Sequence, residues 1–259
     1  HALPGFVAAA IVGAAIAAII AATSIRLKLN QIAVGFVLTL LAADLASFLG
    51  DSCVGERGPR VPPLPIPVLS DIPFVGKVLF DHDLVVYGSV LAIGLTWWLF
   101  YRTRPGLNLQ GVGERPEGAF ARGIKVNTLR FWYTVLGGAM VGIAGAAYSL
   151  DIKLGWRETL TLNLGWIALA IVIFGGWHPL RVAFGAYLIG ALQVLAFQLQ
   201  DVFPGLAQVL PIAPFPLMIL ALLFVYSSWF RQIGDRFPSL RNLFGSEAPA
   251  AMGTVFERE

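Results

Sequence analysis

Apolar residues in this chain come in long unbroken runs, not in the alternating or one-faced patterns of soluble strands and helices. Seven runs stand out, at about 5–24, 31–50, 84–101, 131–150, 162–176, 181–199 and 215–230. Runs near 18 residues or longer match the thickness of a bilayer's hydrocarbon core when wound as helix, at about 1.5 Å per residue. In hydrocarbon the backbone polar groups must be satisfied internally, and runs of this length satisfy them as helices, not as barrel strands. The pattern therefore predicts an all-α polytopic membrane protein with about seven transmembrane helices. The fifth run is short, at about 15 residues, which suits a tilted, broken or partly buried helix. A transmembrane domain is expected over 1–230, and a cytoplasmic, poorly ordered tail over 231–259.

The polar intervals between the runs alternate in charge. One set holds Arg26 and Lys28, the island 102–130, Arg181, and the tail with Arg231, Arg236, Arg241 and Arg258. The other holds Arg57, Arg60, Lys77, Lys153 and Arg157, mixed with acids such as Asp51, Asp71, Asp81 and Asp151. The positive-inside rule puts the first set in the cytoplasm, and this parity holds through all seven runs. The external segment 51–82 is proline-rich (VPPLPIPVLSDIP), which disfavours helix. It reads as a stiff loop or as a platform that meets a soluble partner. Composition agrees: 57% of residues are hydrophobic and 13% charged, and the mean hydropathy is +0.76. The net charge of +3 sorts by loop and not onto one face, so nucleic acid is not an expected partner. Cys53 is the single cysteine, which excludes an internal disulfide.

The polar island 102–130 contains the signals of a short, built helix. Pro116 suits the first helical position, where its missing N–H costs nothing. Glu117 in the first turn complements the positive end of the helix dipole, and Gly123 falls where a glycine should end the helix. A short surface helix in a basic cytoplasmic loop reads as a docking element for a soluble, energy-supplying partner. Within the fourth run, Gly138, Gly142 and Ala146 recur every four residues, as do Ala10, Ala14, Ala18 and Ala22 in the first. Such stripes let helix backbones approach closely in lipid. Asp44 lies inside the second run, Asn163 opens the fifth and Gln193 lies in the sixth. A carboxylate at that depth is expensive unless paired or hydrated, so Asp44 is expected to face a cavity or a partner helix. These three are the candidates for a substrate path. Trp97, Trp98, Trp132, Trp156 and Trp177 lie near run ends, as in an interfacial belt.

Motifs of catalysis are not found in the sequence. There is no GxxxxGK[ST] phosphate loop, and the Gly76–Lys77 pair is followed by Val78. His1, His82 and His178 are too scattered for a metal site. The chain opens at His1 without a basic region before its first apolar run, so no signal peptide is read, and the chain is expected to begin part-way into a longer protein.

The stretch GVGERPEGAFARGIKVNTLRFWYTVLGGAMVGIAGAAYSL resembles the inner-membrane permeases of bacterial ABC importers, in the branched-chain amino acid, ribose and simple-sugar group. That group carries a Gly-x-Gly-Glu-Asn-Pro-x-Ala-Ala stretch, then Gly-Ile, then a glycine-rich helix. Gly111, Gly113, Glu114, Pro116, Ala119, Gly123 and Ile124 match it, and Glu117 falls between them; Arg115 and Gly118 replace the usual Asn and Ala. LKLNQIAVGFVLTLLAADLASFL and GWIALAIVIFGGWHPLRVAFGAYLIGALQVL are similar to segments of its nucleoside-type members, whose solute is delivered by a basic membrane lipoprotein. The likeness spans almost all of 25–230. The group's additional N-terminal helices, with an Asn-Ile-Gly-x-Glu-Gly stretch, have no counterpart here.

The resemblance implies a transport subunit of the bacterial inner membrane without an ATPase site of its own. A second permease subunit would complete the pathway. Cytoplasmic ATPase subunits, which bind ATP and Mg, would receive the helix at 114–123. An extracytoplasmic substrate-binding protein would deliver a nucleoside or related sugar. The alternatives within the group are branched-chain amino acids or ribose. An ion-gradient-driven carrier would instead centre on Asp44 and predict inverted repeats, of which the sequence shows no convincing instance.

Overall fold

Helices form where the apolar runs are, and their ends are set by local caps. The computed structural model describes residues 2–56, 58, 61–62, 64, 81–157, 160–161, 164–202, 216, 219 and 248–257. Helix α1 spans Leu3–Ala21 and tightens into a π turn over Ala22–Arg26. Helix α2 spans Gln31–Gly50; the Asn30 side chain caps it by accepting from the Ile32 N–H at 2.9 Å and the Ala33 N–H at 3.3 Å. Then follow α3 at Leu84–Arg102, α4 at Arg104–Glu114, α5 at Pro116–Ala121 and α6 at Val126–Ala147, the last running on through a π turn at Tyr148–Ile152. Helices α7 (Leu164–Phe174) and α8 (Pro179–Val202) complete the described set. Among the described residues the only extended pairing is an isolated bridge between Val54 and Trp156.

Four of these helices, with their end turns, are long and apolar enough to cross a bilayer: Leu3–Arg26, Gln31–Cys53, Leu84–Arg102 and Val126–Ile152. Helix α7 is a shorter apolar helix, as its run length predicts, and Pro179–Leu195 of α8 is another. Most of the run at 215–230 and most of the segment 51–82 lie outside the described residues. The fourth span begins at Val126, earlier than the apolar run at 131–150 suggests. Its extra turn is polar (Asn127, Thr128, Arg130) but is anchored by Val126, which is fully buried. Helices α2 and α3 have no buried residue and present side chains such as Ile32 and Phe48 outward, 84% and 80% exposed. That distribution reverses the soluble pattern and suits a lipid-facing surface.

Residues 1–161 with 251–259 form one compact unit, and 162–250 form a second. The first is organised on a seam between α1 and α6. A Cβ placed on Gly138 would collide with the Ala17 Cβ and the Gly13 carbonyl; one on Gly142 would collide with the Ala9 carbonyl; one on Gly13 would collide with Gly138. The two backbones thus touch through glycine, the small-residue packing expected in lipid. Ala17 and Ala21 are buried in this unit. The α1 face is therefore Gly13, Ala17 and Ala21, one position over from the stripe at Ala10, Ala14, Ala18 and Ala22, which flanks it half-buried. Ala146, a turn beyond Gly142, is also half-buried.

In the second unit, α7 and α8 form a hairpin. Gly176 (φ +58°) ends α7 with paired bonds, Gly176 N–H to the Ile173 carbonyl at 3.0 Å and Trp177 N–H to the Val172 carbonyl at 3.2 Å. The His178 carbonyl then accepts from Arg181 and Val182 to start α8. Burial, and secondarily the positive charge of Arg181, hold the His178 imidazole below its ordinary pKa of 6.5.

Candidate functional site

The polar island folds as two short helices between two long apolar ones. Thr103 caps α4: its hydroxyl accepts from the Gly106 N–H at 3.2 Å while donating to the Leu99 carbonyl at 2.6 Å. Gln110 donates to the Phe100 carbonyl at 2.9 Å, so α4 folds back on the end of α3. Gly106 permits that return, because a Cβ there would collide with the Leu99 carbonyl. Arg115 breaks the chain between α4 and α5 in an extended conformation.

Helix α5 starts at Pro116 and carries Glu117 in its first turn. It stops at Gly123, which takes φ +82°. The Gly123 N–H donates to the Phe120 carbonyl at 2.8 Å and the Ile124 N–H to the Ala119 carbonyl at 3.2 Å. This double bond pattern closes the helix with the hydrophobic residue after the glycine folded back onto it. Ala119 faces inward and Ile124 packs beside it. Glu114, Glu117, Gly118, Ala121 and Arg122 face solvent, with Gly113 and Pro116 half-buried. The site thus has a buried back and an exposed, charged front.

Residues outside the sequence motif complete the back. Val112, Ala119, Val126 and Phe256 form one buried cluster, with Ile124 and Leu129 packed against it. Phe256 comes from the tail, so the segment 251–257 departs from the expectation of a poorly ordered end. The Phe256 and Phe120 rings lie 5.6 Å apart. The Ala251 N–H donates to the Gly113 carbonyl at 2.9 Å, and Arg130 Nη1 donates to the Thr254 carbonyl at 2.7 Å. The signal available in the sequence was the apolar pair Val255–Phe256 near the end of the tail. Beside the cluster lies an open cavity of about 640 Å³, bordered by Arg26, Lys28, Lys125, Phe120 and Phe256. Basic residues from the α1 end and the α5–α6 turn therefore meet at one end of this unit. Asp51, Trp156 and Arg157 border a separate cavity of about 530 Å³.

Two of the three candidate path residues, Asp44 and Gln193, are among the described residues. Asp44 is exposed on α2. Among the described residues, α2 buries no side chain of its own. Gln193 lies half-buried on α8 in the other unit, and Asn163 lies outside the described residues.

Long apolar helices joined by a basic loop that carries a short, exposed helix define a polytopic membrane protein. The chain belongs to the family described as "Branched-chain amino acid transport system / permease component", which it matches over residues 2–225. It is 37% identical over 205 residues to a Haloferax volcanii protein provisionally named glucose ABC transporter permease protein TsgC13, covering 78% of this chain and 62% of that one. It is 33% identical to the guanosine ABC transporter permease protein NupQ of Bacillus subtilis (83% of this chain, 70% of that one). It is 30% identical to the nucleoside ABC transporter permease protein NupC of Lactococcus lactis (82% and 70%). The chain thus spans about three fifths of the length of the first relative. No solved structure matches it.

Proposed function

We propose that this chain is the permease subunit of an ATP-driven importer for nucleosides or related simple sugars in a bacterial inner membrane. Cytoplasmic ATPase subunits, binding ATP and Mg, would seat on α5; a second permease subunit would complete the path; an extracytoplasmic binding protein would deliver the solute. The observation that carries this reading is α5 itself. It is a helix of six residues, started by Pro116 and closed at its C-terminal end by the Gly123 turn, with its charged front exposed and its back fixed to the start of α6. A helix this short has no stability of its own, so its rigidity is a property of the seat. A load placed on it passes into α6 instead of deforming it. A hexose reading is favoured by the 37% identity to the glucose-named relative.

The test is uptake by cells with and without the gene, using labelled uridine, adenosine, glucose, ribose and leucine, with ATP depleted in one arm. The expected result is loss of ATP-dependent nucleoside or sugar uptake. Uptake that survives ATP depletion but collapses with the proton gradient would discard the reading in favour of a carrier centred on Asp44. Glu117→Arg and Gly123→Val are expected to separate ATP hydrolysis from uptake while leaving the spans folded.

A further inference from the structure

We infer that residues 251–257 are a brace that holds α5 in its working position, with Phe256 and Arg130 as positioning residues for ATPase engagement. This rests on the proposed role of α5. The buried side of α5 is one alanine wide, and Val112 and Val126 on the flanking helices form the rest of its floor. Phe256 closes that floor and is itself 6% exposed. Two backbone-directed hydrogen bonds fix the peptide's path. Ala251 ties it to the end of α4 through the Gly113 carbonyl, and Arg130 ties Thr254 to the first turns of α6. Between these anchors the peptide turns on itself, Thr254 N–H to the Ala251 carbonyl at 3.2 Å, with Gly253 at φ +75°. The peptide therefore bridges the helix before α5 and the helix after it. It lies on the cluster side and leaves Glu117, Gly118, Ala121 and Arg122 exposed. That placement makes it a support for the docking face and not a plug over it. Lys28 and Glu257, 4.0 Å apart and both largely exposed, add only a weak outer contact.

Two measurements on the full-length chain, assembled with its ATPase subunits in lipid nanodiscs, test the brace. In a Cys53→Ser background, spin labels at Leu107→Cys, exposed on α4, and Val255→Cys report whether the peptide is docked. A short, narrow distance distribution is expected, and a broad one overturns the proposal. Phe256→Ala is expected to weaken ATPase binding and uptake by about 5- to 150-fold, the usual range for coupling between sites. Thermal unfolding of the spans should stay unchanged, and Phe256→Leu should restore most of the loss. If Gly123→Val uncouples transport while Phe256→Ala does not, the brace is wrong and the docking role of α5 stands. If neither does, the docking role itself fails. Higher uptake in Phe256→Ala would make the peptide an inhibitor, which also overturns the brace.

Discussion

Gly138→Ala isolates the geometry of the α1–α6 seam. Alanine adds one methyl, and at Gly138 that methyl would overlap the Ala17 Cβ and the Gly13 carbonyl. Neither obstacle is the end of a flexible side chain, so the helices must separate or shift. Overpacking of this kind costs about 1–3 kcal/mol. The same change raises helix propensity by about 1 kcal/mol, which would mask part of the loss if it were measured alone. Gly137 and Gly145 provide the correction, because a Cβ at either meets nothing within 4 Å. Gly137→Ala and Gly145→Ala then report the propensity gain without the clash.

The assay is detergent-driven unfolding of the four proteins in mixed micelles. Gly138→Ala is expected to be less stable than Gly137→Ala by about 1–3 kcal/mol. Adding Ala17→Gly should recover only part of this, because the Gly13 carbonyl remains in the way. If Gly138→Ala and Gly137→Ala agree within about 0.5 kcal/mol, the spread of an ordinary surface change, the seam does not exist as described.

Thr103→Ala removes both the cap on the Gly106 N–H and the bond to the Leu99 carbonyl. It should cost about 0.5–2 kcal/mol, seen as faster proteolysis within α4 than in the parent. Asn30→Ala should cost a similar amount at the start of α2, read as faster hydrogen exchange at Ile32 and Ala33, whose N–H groups it leaves uncapped. The His178 imidazole is held below 6.5 in the folded chain. The unfolded chain therefore takes up the proton first as pH falls, and stability drops below pH 6.5, flattening once the folded imidazole also titrates. His178→Gln should remove that slope in pH-dependent thermal unfolding, and an unchanged slope would exclude His178 as its source.

The parts of the fold legible in the sequence are those set by short-range physics. Run length predicted α1, α2 and α3 closely, because a bilayer rewards unbroken apolar length. Pro116, Glu117 and Gly123 predicted α5, because capping acts within a few residues. Helix α4 was hidden by its glycines, although Thr103 before Pro105 is a helix-start signal. The α6 seam residues were readable from their spacing. The α1 face was not, because a helix rich in alanine offers several equivalent stripes, and the choice falls to the one that contains Gly13, whose missing Cβ lets the Gly138 carbonyl approach. Phe256 lay beyond any local rule: its partners are more than a hundred positions away, and only the tertiary structure brings them together.

On the proposed function, these features constrain how force travels. Helix α5 is joined to α6 by a closed turn at Gly123 and a fully buried Val126, so displacement of α5 moves the N-terminal end of α6. Helix α6 cannot then slide freely along α1, since Gly13, Gly138 and Gly142 interlock backbone against backbone, and packed interfaces of this kind hold discrete positions. The two helices therefore move as a pair. Helix α2, which buries nothing against them and carries the exposed Asp44, is the element past which that pair can rock.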